Sequence, residues 1–193
     1  YGDIYLSPSV SLTSTNNVQS NTPTGNINIS LNGATVPATL AFLPRDGRSI
    51  YLQSPFVITG TCIIAGSSGT VDLNGYDITC NICQRGNIGS PQTVAFGSNA
   101  INVTGNAATV WDFGDLTNFS YTGTPTVNFT YSGGTGTRTV NNGNTAGATE
   151  SNVVNINVTA GSDTFSFNTG SSVGNLNYTG FSGLGTTIAS GYI

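Results

Sequence analysis

From Phe56 onward the chain is a succession of short apolar–polar alternations separated by Gly, Ser and Asn corners. The runs are Val57–Ile64, Val71–Thr79, Val94–Phe96, Ile101–Thr104, Thr109–Phe113, Asn118–Thr122, Thr126–Tyr131, Val153–Thr159, Thr164–Phe167 and Leu176–Thr179. Successive residues of a strand point to opposite faces, so a period of two predicts strands with one buried face. No window sustains a 3.6-residue period, and helix is expected to be nearly absent. The stretch from Val57 to Cys80 sets the device. Two β-type runs flank a Gly-Ser-Ser-Gly turn, and the second is broken by Asn74-Gly75, a tight-turn pair.

Inside these runs one pattern recurs: an apolar residue, Asn, an apolar residue, then Thr or Ser. It reads Ile101-Asn-Val-Thr104, Val127-Asn-Phe-Thr130, Ile156-Asn-Val-Thr159 and Leu176-Asn-Tyr-Thr179, with Ile27-Asn-Ile-Ser30 as an outlier near the start. The two apolar residues share one strand face, and Asn and Thr share the other. The later copies begin at 101, 127, 156 and 176, spacings of 26, 29 and 20 residues, which suits one coil of a β-solenoid. The expected fold is therefore all-β, a parallel β-solenoid with an irregular N-terminal cap or arm. An antiparallel β-sandwich is the alternative, since ten or so short strands and the hairpin-like Val140-Asn-Asn-Gly-Asn-Thr suit it too.

The boundary is expected near residue 56. Residues 1–55 read as an extended arm and a cap, and 56–193 as the solenoid-like domain. The arm either pairs with its own domain or adds a strand to a neighbour, and self-pairing is the preferred reading. At the other end, Leu184–Ile193 is apolar and uncharged with no evident polar cap, which suggests head-to-tail assembly.

Composition narrows the function classes. Hydrophobic residues make up 37% and charged residues only 6%, so the chain is too apolar for disorder and is solubilised by Ser, Thr, Asn and Gly. The four basic residues are all Arg (Arg45, Arg48, Arg85, Arg138); there is no Lys, His or Met. A formal charge of −4 with no basic cluster excludes nucleic acid and anionic membrane as expected partners. No apolar run is of membrane-spanning length. With Tyr at position 1, the chain reads as a processed product or a piece of a longer one.

The segments Gly69–Thr79 (GTVDLNGYDIT) and Thr93–Gly105 (TVAFGSNAINVTG) carry a resemblance to the repetitive β-helix segments of phage tail fibres and of large secreted bacterial surface proteins. The likeness spans about residues 56–180 and rests on composition and strand–turn rhythm. It implies a parallel β-helix in an extracellular, cell-surface or virion role, and no catalytic residues.

The residues themselves offer little chemistry. Without His or Lys, neither a Ser-His-Asp nor a Ser-Lys arrangement can be built. Carboxylates near an aromatic remain, and Trp111 with Asp112 and Asp115 is the candidate sugar contact, with Tyr121 or Tyr131 lining a groove. Asp72 and Asp77 flank the Asn74-Gly75 turn and read more simply as strand-end residues satisfying turn amides. Cys62, Cys80 and Cys83 permit one disulfide, Cys62 to Cys80 or Cys83, or remain buried thiols; the CxxC spacing lacks a second half for a metal site. Asn28, Asn102, Asn118, Asn128, Asn157 and Asn177 are glycosylation sequons, about as many as this composition gives by chance. If their face is outward sugars can coat it, and if inward the Asn residues can stack as amide ladders. Thr122-Gly-Thr124-Pro-Thr126 and Thr135-Gly-Thr137-Arg-Thr139 raise an ice-binding reading, which needs the Thr residues in one flat plane. The expectation is thus a non-enzymatic structural protein without a cofactor, an extracellular fibril or virion subunit whose partners are copies of itself. A glycan-binding or glycan-cleaving module and an ice-binding protein are the alternatives.

Overall fold

The computed structural model describes residues 3–9, 16–19, 25–66, 68–88, 91–143, 153–168, 170–183 and 187–188. The fold is all-β, a parallel β-solenoid of about 6 turns with no helix. Its strands are β1 (Ile4–Tyr5), β2 (Asn16–Gln19), β3 (Ile27–Ser30), β4 (Thr35–Val36), β5 (Leu40–Leu43), β6 (Ser49–Leu52), β7 (Phe56–Gly66), β8 (Gly69–Asp72), β9 (Ile78–Ile88) and β10 (Gln92–Gly97). They continue as β11 (Ala100–Val103), β12 (Trp111–Phe113), β13 (Phe119–Gly123), β14 (Thr126–Phe129), β15 (Thr137–Asn142), β16 (Val154–Val158), β17 (Thr164–Phe167), β18 (Val173–Tyr178) and β19 (Thr187–Ile188).

The strands stack into three ladders, one per side of the coil. The first runs β1-β3-β6-β8-β10-β13. The second joins β4, the first half of β7, the first half of β9, β11, β14, β16 and β18. The third joins β2, β5, the second halves of β7 and β9, β12, β15, β17 and β19. β7 and β9 turn the corner between the second and third sides without a loop. Their register shifts there: Phe56–Ile58 pairs with Ile78–Cys80, and Thr61–Ile64 with Ile82–Arg85. Every described strand pair is parallel, which excludes the antiparallel sandwich.

In-register stacking places like residues above one another. Phe56, Ile78, Ile101, Val127 and Ile156 form one inward column, and Ile58, Cys80, Val103, Phe129 and Val158 form the next. On the third side Leu40, Cys62, Cys83, Trp111, Val140 and Phe167 stack likewise. These columns are buried and make one continuous core. The second-side columns are the apolar positions of the sequence repeat, so the repeat is the second side of each coil. Ile27-Asn-Ile-Ser30 is an outlier in sequence because β3 lies on the first side.

Several expectations are corrected. Residues 25–55 are not a separate irregular cap: β3 to β6 pair in the same ladders as everything downstream, so the solenoid begins before residue 56. The preferred self-pairing of the N-terminal segment, by contrast, holds, β1 pairing with β3 and β2 with β5. The segment Val140–Asn142 is the end of a parallel strand against β12 and β17 rather than one arm of a hairpin. Of Leu184–Ile193 only β19 is described, and the rest of that segment lies outside the described residues.

Candidate functional surface

Among the described residues, the outward side of the second ladder carries a continuous chain of side-chain hydrogen bonds. Because inward positions are apolar, the repeat's Asn and Thr project outward, and stacking brings each Asn over the one a coil earlier. Asn102 Nδ2 donates to Thr79 Oγ1 at 3.3 Å, Asn128 to Asn102 Oδ1 at 2.9 Å, Asn157 to Asn128 at 3.0 Å and Asn177 to Asn157 at 3.1 Å. The amide ladder anticipated for an inward face therefore exists on the outward one. Parallel strands about 4.8 Å apart let a carboxamide donate on one side and accept on the other. A second, shorter ladder has Asn175 donating to Asn155 Oδ1 at 2.8 Å. The Thr residues of the repeat turn back onto the coil before: the hydroxyls of Thr104, Thr130 and Thr159 donate to the carbonyls of Cys80, Val103 and Phe129.

This arrangement separates the sequons. Asn102, Asn128, Asn157 and Asn177 are engaged in the ladder, and Asn28 donates to Asp3 Oδ1 at 2.9 Å while accepting from Gln53. Asn118 is different. It is exposed, takes φ 55°, and sits in the turn just before β13.

The sugar platform is not assembled. Trp111 is fully buried, stacked against Phe113 at 4.5 Å between ring centroids, and its Nε1 donates to Asn142 Oδ1 at 3.0 Å. Tyr121 is buried too, donates to the same Asn142 oxygen, and has its hydroxyl pKa pushed up by burial. Asp112 faces outward and accepts from Asn141 at 2.7 Å. Asp115 is exposed and paired with Arg85 at 2.6 Å, and that hydrogen bond first, then those from Thr117, hold its carboxyl down to about 2. Alternation explains the split: Trp111 is inward in β12, so its neighbour Asp112 must be outward. Asp72 serves the turn amide of Asn74 at 2.8 Å, whereas Asp77 accepts from the amide of Ala100 on the next coil at 2.9 Å.

The three cysteines come together in the core as free, buried thiols, Cys62 opposite Cys83 on adjacent coils. The hydrogen bonds that the Cys83 thiol donates to Cys62 and Cys80, together with burial, raise its pKa well above the ordinary thiol value. No group of three metal-ligating side chains occurs among the described residues. The Thr-x-Thr runs do not share a plane. Thr122 ends a first-side strand, Thr126 begins a second-side strand, and Thr137 and Thr139 lie on the third side.

Two features had no warning in the sequence. Arg138 points inward and is fully buried, its Nε and Nη2 each 2.7 Å from the Asp163 carboxylate, with the rings of Tyr131, Phe165 and Phe181 around its guanidinium. A shallow groove of about 440 Å³ runs along Gly69, Thr70, Gln92, Thr93, Leu116 and Phe119, with no ionisable side chain in its lining. No helix among the described residues is long and apolar enough to cross a membrane. No protein-family model, curated protein or solved structure matches this chain.

Proposed function

We propose that the protein is a structural subunit of an extracellular fibril or virion appendage, extended by stacking copies end to end. The observation that carries this reading is the state of β18. It pairs with β16 on one side and with no described strand on the other. Asn175 and Asn177, both exposed, donate to the coil before them, and no described residue donates to their Oδ1 atoms. Among the described residues the side-chain ladder thus ends on acceptors at the β18 edge, which a further parallel strand carrying donors can engage. Since the described strand pairs are all parallel, the first coil of a second copy meets that edge running in the same direction, as a further coil would. Low charge supports close approach of copies, and a repeat core gains stability with each added coil.

Electron microscopy of the protein as isolated tests this. The expected result is filaments whose axial repeat is near one stack of about 6 turns, roughly 30 Å at the spacing of parallel strands. Monodisperse single particles at high concentration overturn it.

A further inference from the structure

The outward face formed by β11, β14, β16 and β18 carries three ranks of side chains parallel to the solenoid axis. One is Ala100, Thr126, Asn155 and Asn175; the next is Asn102, Asn128, Asn157 and Asn177. The third is Thr104, Thr130, Thr159 and Thr179, whose backbone N–H groups donate to Cys80, Val103, Phe129 and Val158 of the preceding coils. None of these positions is charged or aromatic. Asp72 lies on the first side and Asp112 on the third, while Asp77 borders the face one coil before Ala100, its carboxylate accepting from the Ala100 N–H.

Neighbours within a rank lie about 4.8 Å apart, and ranks two residues apart along a strand lie about 6.6 Å apart. Orientation is settled on both axes. The second-rank carboxamides are held by the ladder, and the hydroxyl protons of Thr104, Thr130 and Thr159 are committed to backbone carbonyls. What faces outward is therefore a fixed two-dimensional array of amide hydrogens, oxygen lone pairs and threonine methyl groups. Four strands by five residues cover about 300 Å². That is well below the roughly 800 Å² per partner of a stable protein interface. The area suits a repeating neutral lattice better than a discrete macromolecule, and the lack of rings removes the stacking that a sugar surface would use.

We infer that this face binds ice, its ranks holding the first layer of lattice water. The inference does not depend on assembly, because a single subunit carries the whole face. The experiment is thermal hysteresis and ice-plane adsorption of the full chain, compared with Thr159→Tyr and Thr179→Tyr on the face and Thr93→Tyr on the first side, with far-UV circular dichroism as the fold control. The expected result is a freezing gap and ice adsorption in the parent and Thr93→Tyr proteins and their loss in both face variants. Because Thr179 is exposed just beyond the end of β18, the last described second-side strand, that variant reads the face even where Thr159→Tyr perturbs folding. A parent protein with no hysteresis or adsorption overturns the inference. Face variants that retain both, or a first-side variant that loses them equally, overturn it as well.

Discussion

Arg138 and Asp163 form an ion pair whose two side chains have no exposed surface. Removing one partner of such a pair leaves a buried charge uncompensated, and Asp163→Asn is expected to destabilise the fold by about 3–5 kcal/mol. The double variant Arg138→Met/Asp163→Leu restores an apolar core and should be markedly less destabilised than Asp163→Asn alone, a comparison readable by urea unfolding. Asp115 offers a pH test. Its carboxyl is held at about 2 in the fold, below the ordinary aspartate value of 3.8. The stability it contributes is therefore fully present above the unfolded value and is lost as pH falls through the folded one. Amide hydrogen exchange in the segment 114–118 should accelerate selectively below about pH 3. Exchange unchanged down to pH 2 would show that the Arg85 contact does not hold this segment.

At the scale of elements, the amide ladder turns a weak interaction into a repeated one. Asn128 donates to Asn102 and accepts from Asn157. Losing both bonds in Asn128→Ala should cost about 1–2 kcal/mol. Asn128→Asp is more informative. A carboxylate accepts from Asn157 but cannot donate to Asn102, so this variant should regain stability as pH falls and the carboxyl gains a proton. A pH-independent deficit would argue that the ladder bonds contribute nothing net. Corners matter as much as ladders. Gly69 has φ +114°, and an added Cβ would sit 2.1 Å from the Arg48 carbonyl oxygen. Gly69→Ala therefore should cost at least about 2 kcal/mol through strain and clash together. By contrast, Asn74-Gly75 takes positive φ at both residues with open space at the glycine, as a tight turn requires.

The whole molecule is a stack in which each coil buries its apolar side on the next, leaving few places for a protease. Of its basic residues, Arg138 is buried, Arg85 lies inside β9, and Arg45 sits at the exposed corner between β5 and β6. Limited trypsin digestion of the native chain should cut first at that corner, since cleavage needs local opening. Mass spectrometry reads the site, and early cleavage at Arg85 would mean that β9 opens more easily than the corner. The core thiols should likewise resist thiol reagents until the chain is denatured, because Cys62, Cys80 and Cys83 are all buried.

The alternation of apolar and polar residues and the recurring apolar-Asn-apolar-Thr pattern determined by themselves that the chain is all-β and coils at a spacing of 20 to 29 residues. Those signals are local, and a strand's two faces are legible wherever its residues alternate. Tertiary structure decided which ladder each strand joins. This is why the coils of residues 25–55 read as an irregular cap: they lie in register with later coils but carry the repeat only once, on another side. It also decided which parity faces inward. Trp111 reads as a candidate sugar contact beside acids, and nothing in the sequence sets Arg138 apart, until the columns of Val140 and Phe167 show both to be interior. The Asn ladder has the same origin. The residues are in the sequence, but a bond between side chains 26 or 29 positions apart exists only once parallel stacking sets them about 4.8 Å apart.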